Sequence, residues 1–337
     1  MGDTIPWAIL GAGRVARKFA ASLRELPEAA LVAVGSQSLD RAKALAAEFG
    51  IPRAYGDYAS LVRDSETRVV YIATRHPQHL AAMRLGLEAG KAVLCEKPFT
   101  LNASQAEEAV VLARQKGLFL MEAMWTRFFP VMRRVMEAIA AGRIGQPRLL
   151  QADFGFLNDW NPDGRHLHLA LGGGALLDVG AYLVSLSSAL FGPPVAVASQ
   201  AAIGTTGVDE SCAMALAHSK GEISSLAAAI RTDTRKEAII YGTEGRIEIH
   251  PPFWKPNAAT FIPLRGASER WGEPYPNFGY QFEAAHVMDC LRQGLTESPV
   301  MPLDETIQIM RTLDQVRAPW GLRYPGETPT PPLAVSR

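Results

Sequence analysis

Across the first ~120 residues, short apolar β-type runs alternate with helical patterns, and that alternation confines the chain to a parallel sheet covered by crossover helices. Residues 7–10 read as a strand and 14–26 as a helix with Val15, Phe19 and Leu23 on one face. A second strand is expected at 31–35, followed by a helix at 40–49 that ends at Gly50. An all-apolar run at 69–73 reads as a central strand, and helix 78–89 stops at Gly90. Strand 92–95, a helix from an Asn102 cap to Lys116, closed by Gly117, and strand 118–121 complete the pattern. The expectation is a doubly wound α/β domain over residues 1–123.

After Met124 the pattern changes to α+β. A helix at 131–141 leads to strand 148–155, a polar loop, and a helix at 174–190. Strands are expected at 195–203, 212–217, 222–230, 237–241 and 246–249, with hairpin turns at Ser219-Lys220-Gly221 and Thr243-Glu244-Gly245. Helices at 281–293 and 303–316 close a second domain, 124–325, with an open, mostly antiparallel sheet. Residues 326–337, rich in Pro and Thr, read as a loose tail.

Lys plus Arg number 34 and Asp plus Glu number 34, with the basic residues scattered, so no nucleic-acid partner is expected. Cys95, Cys212 and Cys290 form no C-x-x-C and sit in apolar runs, as free thiols of a reducing compartment do. Asp3 and Pro6 interrupt any signal pattern, and no uninterrupted apolar stretch reaches the length of a membrane span. A cytoplasmic protein without membrane association is expected.

Gly11-Ala12-Gly13-Arg14-Val15-Ala16 follows a strand and opens a helix, the context that a dinucleotide fingerprint requires. Gly11 makes the tight turn, Gly13 admits the pyrophosphate to the backbone, and Ala16 lets helix pack on strand. The end of the second strand, Ser36-Gln37-Ser38, has hydroxyls and an amide for a 2′-phosphate, and Arg41 can pair with it. Asp40 argues mildly for NAD, although it stands where a helix cap is expected. NADP is therefore the expected cofactor, NAD the less favoured one.

Carboxyl ends of parallel strands face the ligand crevice, which puts Thr74, Arg75 and His76 there, and Glu96 and Lys97 beside them. A lysine at the end of the buried run 92–95, followed by Pro98, suits an anionic or carbonyl partner better than packing. His76 and His79 lack further ligands at a supporting spacing, so capping or cofactor contact is expected rather than a metal. Farther on, Gly172-Gly173-Gly174 precedes Asp178 and Tyr182, which are four apart and share one helix face. A neighbouring Lys97 ammonium would lower the Tyr182 pKa and fit it for general-base work, whereas alone Tyr182 reads as a core residue.

The first glycine turn, His76-Pro77-Gln78-His79, Cys95-Glu96-Lys97-Pro98 and Gly172 through Tyr182 together resemble, in order and over essentially the whole chain, the Gfo/Idh/MocA oxidoreductase family. Met121-Glu122-Ala123-Met124-Trp125-Thr126-Arg127-Phe128 is similar to its dimeric dihydrodiol dehydrogenase and NADP-dependent D-xylose dehydrogenase branch. The resemblance implies a Rossmann domain, dimerisation through the second domain's sheet, nicotinamide and substrate contacts by Lys97, and substrate orientation by Asp178. It also implies cofactor contacts from Trp125 and Arg127. Many family members have histidine at the position of Tyr182, and this branch has tyrosine, so proton transfer falls to Tyr182 or Lys97.

Trp125, Phe154, Phe156, Trp160, Trp254 and Phe278 are candidates for an apolar pocket wall on which a sugar face or planar diol packs. Arg127, Asn158, Arg165 and His168 could bond hydroxyls. No clustered basic site for a phosphorylated sugar is visible in the sequence, so a neutral sugar, polyol or aromatic dihydrodiol is expected. The small apolar residues Ala196, Ala198, Ala201, Ala202 and Leu226 to Ala229 suggest a sheet face for a second copy. A dinucleotide- or sugar-sensing regulator without chemistry is the alternative, against which Lys97, Asp178 and Tyr182 all speak.

Overall fold

The computed structural model describes residues 4–272 and 274–327. Its first layer system runs β1 (Ile5–Leu10), α1 (Arg14–Leu23), β2 (Ala29–Gly35), α2 (Leu39–Phe49), β3 (Arg53–Tyr55), α3 (Tyr58–Val62), β4 (Val69–Ile72), α4 (His79–Glu88), β5 (Ala92–Glu96), α5 (Ala103–Lys116) and β6 (Leu120–Ala123). These strands form a six-stranded, all-parallel sheet in the order β3-β2-β1-β4-β5-β6. The order reverses between β1 and β4, where a doubly wound sheet opens its ligand crevice. β4 and β5 are buried throughout, in keeping with their unbroken apolar runs.

Local chemistry accounts for the helix ends. The Asn102 side chain accepts the Gln105 N–H at 3.0 Å and caps α5, which ends in a left-handed Gly117. Ser38, rather than Asp40, caps α2 by accepting the Arg41 N–H, so Asp40 is an exposed first-turn residue. The short β3 and α3 were not legible, because three and five residues carry too little periodicity.

The second system contains α6 (Pro130–Ala140), β7 (Pro147–Gly155), α7 (Ala181–Phe191), β8 (Ala196–Ile203), β9 (Asp209–Ala217), β10 (Ile223–Ala229), β11 (Ala238–Gly242), β12 (Gly245–Ile249), β13 (Ala259–Pro263), β14 (Glu269–Trp271), α8 (Tyr280–Arg292) and α9 (Leu303–Arg317). Its eight-stranded sheet has the order β14-β13-β12-β11-β7-β10-β9-β8, antiparallel except for the parallel pair β7 and β10. The helix expected at 174–190 is not uniform. A π-helical turn, Leu176–Gly180, precedes α7. Helices α8 and α9 pack back on α1 and α5, tying the two systems together.

Alternation along β8, β9 and β10 decides which residues face outward. Ala196, Ala198, Ala202, Ala213, Ala215 and Ala227 are exposed, whereas Leu226 and Ala228 are buried on the helix-covered side. The small face expected from a contiguous run is therefore real only at every second position.

Leu169–Phe191 is long and apolar enough by length and composition to cross a membrane, although Asp178 interrupts the apolar run, and most of it is buried inside the fold. The tail expected from 326 lies outside the described residues beyond Glu327. Glu327 itself accepts a bidentate pair from Arg317, Nη2 to Oε1 at 2.6 Å and Nη1 to Oε2 at 2.7 Å, with Asn102 Nδ2 adding 2.8 Å. Both partners are nearly excluded from water. Glu327→Gln should cost about 2–3 kcal/mol, read as a lower urea midpoint, because a buried guanidinium loses a paired charge while Asp314 remains.

Candidate active site

Gly11 has φ +116°, and a Cβ there would lie 2.5 Å from the Ala73 carbonyl oxygen, so only glycine lets the turn pass under the end of β4. Above Gly13 a Cβ would meet nothing within 4 Å, and the N-terminus of α1, at Arg14 and Val15, has neither a side-chain cap nor an acidic residue in its first turn. That end of α1 presents free N–H groups to open space, as a diphosphate requires. Thr74 Oγ1, just past β4, is buried without a partner. These features fit a dinucleotide.

At the far end of β2, Ser36 is buried and its Oγ accepts the Ser38 N–H at 3.3 Å, while Gln37 is exposed. Tyr58, at the start of α3, was not anticipated. Burial raises its pKa, and the exposed Arg41 and Arg75 both oppose that rise, which brings two guanidiniums to one phenol. No local pattern links residues 41, 58 and 75; only the β2-β1-β4 order does.

Lys97, at the end of β5, is the centre of the second cluster. Its Nζ donates to the Asp178 carbonyl oxygen at 2.5 Å and lies 3.5 Å from Asp178 Oδ1. The Asp178 carbonyl belongs to the π-helical turn, where the ordinary i→i+4 ladder is broken and a carbonyl can be given to a side chain. Arg165 Nη1 donates to Asp178 Oδ1 at 3.1 Å, and His166 Nε2 stands 3.4 Å from Oδ2. Burial alone would push the Asp178 carboxyl up, but Lys97, Arg165, His76 and His166 together hold it well below the usual carboxylate range. His166 was missed in the sequence; its bond to Asn158 Oδ1 at 3.1 Å explains the role of Asn158 as its support.

Tyr182 is buried, and its hydroxyl accepts the Trp125 indole N–H at 2.8 Å. Lys97 Nζ lies over the Tyr182 ring, 4.6 Å from its centroid. Burial and the Glu96 charge drive the Tyr182 pKa well above the ordinary phenol value. This corrects the expectation of a lowered pKa. The ammonium meets the face of the ring instead of its oxygen, and a low-dielectric setting with carboxylates nearby disfavours phenolate. Glu96 is buried too, taking the Tyr71 hydroxyl as a donor, and burial raises its pKa.

The aromatic wall is partly as expected. Phe154 stacks on Trp254 at 3.5 Å between centroids and lies 5.6 Å from the Tyr182 ring. Trp125 stacks on Tyr280 at 4.2 Å, and Phe156 stands edge-on to His166. Trp160 is instead at the surface beneath Arg231, and Phe278 lies under Lys18 of α1. His168 has a buried Nδ1 without a partner and is not joined to Asp178.

Two expected cofactor contacts are corrected. His79 is fully buried, with its nitrogens on the Pro98 and Thr74 carbonyl oxygens at 2.9 and 3.3 Å. Burial lowers its pKa to about 4, so it is neutral, and its single N–H donates to one of the two carbonyls, bracing the Lys97 loop. Arg127 spends its guanidinium on Glu305, on Ser185 and on the Val300 carbonyl oxygen. It fastens α7 to α9. His76 Nδ1 meets the Gly172 carbonyl oxygen at 3.1 Å, and burial lowers its pKa to about 3.

Two residues hold the glycine turn. Asp209 Oδ2 accepts the Leu176 N–H at 2.7 Å, and the Tyr324 hydroxyl donates to the Gly173 carbonyl oxygen at 2.8 Å. Burial raises the Asp209 pKa to about 7 and that of Glu122 likewise to about 7. A carboxyl raised from about 4 to that value binds a proton in the folded state and not in the unfolded one, so stability falls as pH rises between these values. Asp209→Asn should therefore flatten the decline in melting temperature between pH 4.5 and 7, which thermal denaturation across that range would measure.

Comparison with known proteins identifies the family. Residues 5–124 match the family model described as "Oxidoreductase family, NAD-binding Rossmann fold", and residues 132–248 match the GFO/IDH/MocA C-terminal domain. Trans-1,2-dihydrobenzene-1,2-diol dehydrogenase from Mus musculus is 39% identical over 338 residues, covering 95% of this chain and 98% of the relative. The Homo sapiens enzyme of that name is 40% identical over 332 residues with the same coverage. Among solved structures, a 3-ketoreductase from Actinomadura kijaniata in complex with NADP and TDP-benzene superposes with TM-score 0.84 at 24% identity, covering 94% of this chain and 98% of that one. Aldose-aldose oxidoreductase from Caulobacter crescentus gives 0.86 at 23%, covering 94% and 97%. With its glycine turn, its Lys97–Asp178 link and both domains matched, the chain belongs to the Gfo/Idh/MocA family of NAD(P)-dependent oxidoreductases.

Proposed function

We propose that the protein is an NADP-dependent dehydrogenase/reductase that interconverts CH–OH and C=O in a sugar, polyol or trans-dihydrodiol. The observation that carries this reading is the convergence of Lys97 from one domain with Asp178 and Tyr182 from the other at the carboxyl edge of the parallel sheet. A nicotinamide bound along that edge supplies or accepts the hydride. Tyr182, a neutral phenol held by Trp125, gives its proton to the alkoxide that forms on reduction and takes it back on oxidation. Lys97 stabilises the oxygen that carries the developing charge, and Asp178, kept ionised by its cations, accepts a second substrate hydroxyl.

Ser36, Arg41, Arg75 and Tyr58 favour a 2′-phosphate over a bare ribose at the end of β2. The stacked Phe154 and Trp254 offer a flat apolar wall suited to a diol ring or a sugar face. The dihydrodiol dehydrogenase relatives support the diol; a D-xylose-type aldose is the other member of the same class. A homodimer through the exposed alanines of β8, β9 and β10 is part of the proposal, since a broad apolar hollow lies across them. So is a cytoplasmic location, supported by three buried free thiols.

Lys97→Met and Tyr182→Phe should each lower kcat by about 10²–10⁴ with little change in cofactor affinity, measured by stopped turnover and by NADPH fluorescence titration. Near-normal turnover in both would sink the assignment, and tight dinucleotide binding without turnover of any aldose or dihydrodiol would favour a sensor. Arg41→Ala should cost roughly 10–100-fold in NADP affinity and far less in NAD affinity. Ala213→Glu should shift the mass seen by light scattering from dimer to monomer.

A further inference from the structure

Around the cleft most cations have a carboxylate partner: Arg127 has Glu305, Arg165 has Asp178 and Arg317 has Glu327. Arg14, Lys18 and Lys255 form no ion pair among the described residues. Lys255 is far from the other two in sequence, which is why no basic cluster is visible there, and the fold gathers them. Arg14 and Lys18 are four apart on α1 and share a face. Lys255 comes from the other domain, directly after Trp254. That loop is fixed where Tyr275 Oη donates to the Lys255 carbonyl oxygen and Thr126 Oγ1 donates to that of Trp254, at 2.8 and 2.7 Å.

Lys18 Nζ stands 5.2 Å from the centroid of the half-exposed Phe278 ring. Lys18 over Phe278 and the Lys255 carbonyl held by Tyr275, three residues earlier, bring both lysines to one loop. Burial lowers the Lys18 pKa, Arg14 and then Lys255 lower it further, and among the described residues no carboxylate forms an ion pair with the three. The Arg14 charge also acts on His166 and Tyr280, which border Asp178 and Trp125. The patch thus lies at the mouth of the cleft between α1 and the Trp254 loop. The uncapped N-terminus of α1 suits one anion, the diphosphate of a dinucleotide. Lys18 is a full turn farther along the helix, and Lys255 directly follows Trp254 of the aromatic wall, so these two ammoniums stand apart from the diphosphate end of α1.

Resting on the hydride-transfer reading above, we propose that Lys18 and Lys255, assisted by Arg14, bind an acidic group, a carboxylate or a phosphate monoester, at the distal end of the substrate. The preferred substrate is then an acidic sugar or acidic dihydrodiol, and not the neutral compound expected from sequence. Phe278 supplies the apolar floor beneath the charged group.

The test is a binding experiment that needs no turnover. Glucose, glucuronate and glucose 6-phosphate, and a trans-dihydrodiol with its ring-carboxylate analogue, are titrated against the NADPH-loaded full chain by tryptophan fluorescence at low and high salt. At least one acidic probe should bind about five-fold or more tightly than its neutral counterpart, with that advantage shrinking in salt. The carboxylate and phosphate arms identify which acid is meant. Lys18→Gln/Lys255→Gln should abolish the advantage, and Lys18→Arg should keep it. If no acidic probe outbinds its neutral counterpart, or if the double variant loses NADPH affinity while the acidic preference persists, the proposal is overturned. An acidic advantage without turnover of any probe would leave the anion site standing and remove the hydride-transfer reading instead.

Discussion

The contact on which the site depends is Lys97 Nζ with Asp178. One ammonium at the end of β5 reaches a backbone carbonyl and a carboxylate in the second domain. Alone, Asp178 would not hold its state, because a buried carboxylate without cations takes up a proton. Joined to Lys97, and with Arg165 and His166 beside it, Asp178 stays ionised in a buried place. The π-helical turn serves the same contact, because it turns the Asp178 carbonyl toward the lysine and leaves Tyr182 beneath it.

Around that link the protein sets a low-dielectric shell of rings and protonated acids. Tyr71 stacks on Phe19, Phe19 meets Tyr280 edge-on, and Tyr280 stacks on Trp125, whose indole N–H reaches Tyr182. Glu283 is wholly buried with both carboxyl oxygens unpaired, and its pKa lies well above the usual range, raised by burial and by Glu96. Such a shell keeps Tyr182 neutral. Its consequence is that the hydroxyl keeps its proton, as the proposed donor role requires.

Much of the first domain could be read from residues in sequence neighbourhoods: a glycine turn between strand and helix, caps at Asn102 and Gly117, apolar runs for β4 and β5. Lys97, Asp178 and Tyr182 could be named as well, because each stands in a recognisable motif. What these residues do to one another was misread for Tyr182, since a sequence shows that an ammonium is near but not which part of the ring it meets. His79 and Arg127 were assigned outward roles for the same reason. Their partners are backbone carbonyls and a glutamate far along the chain, and no spacing rule reaches so far.

The sequence by itself determined the parallel sheet and the glycine turn, because those rest on short-range periodicity and on backbone demands that only glycine, proline or a cap can meet, and its motifs singled out Lys97, Asp178 and Tyr182. Tertiary structure alone decided which charges converge. It joined Arg41 and Arg75 at Tyr58, closed Arg165 and His166 on Asp178, and left Arg14, Lys18 and Lys255 without an ion pair among the described residues. Electrostatic energy depends on distance through space and on burial, and neither is a property of position along the chain.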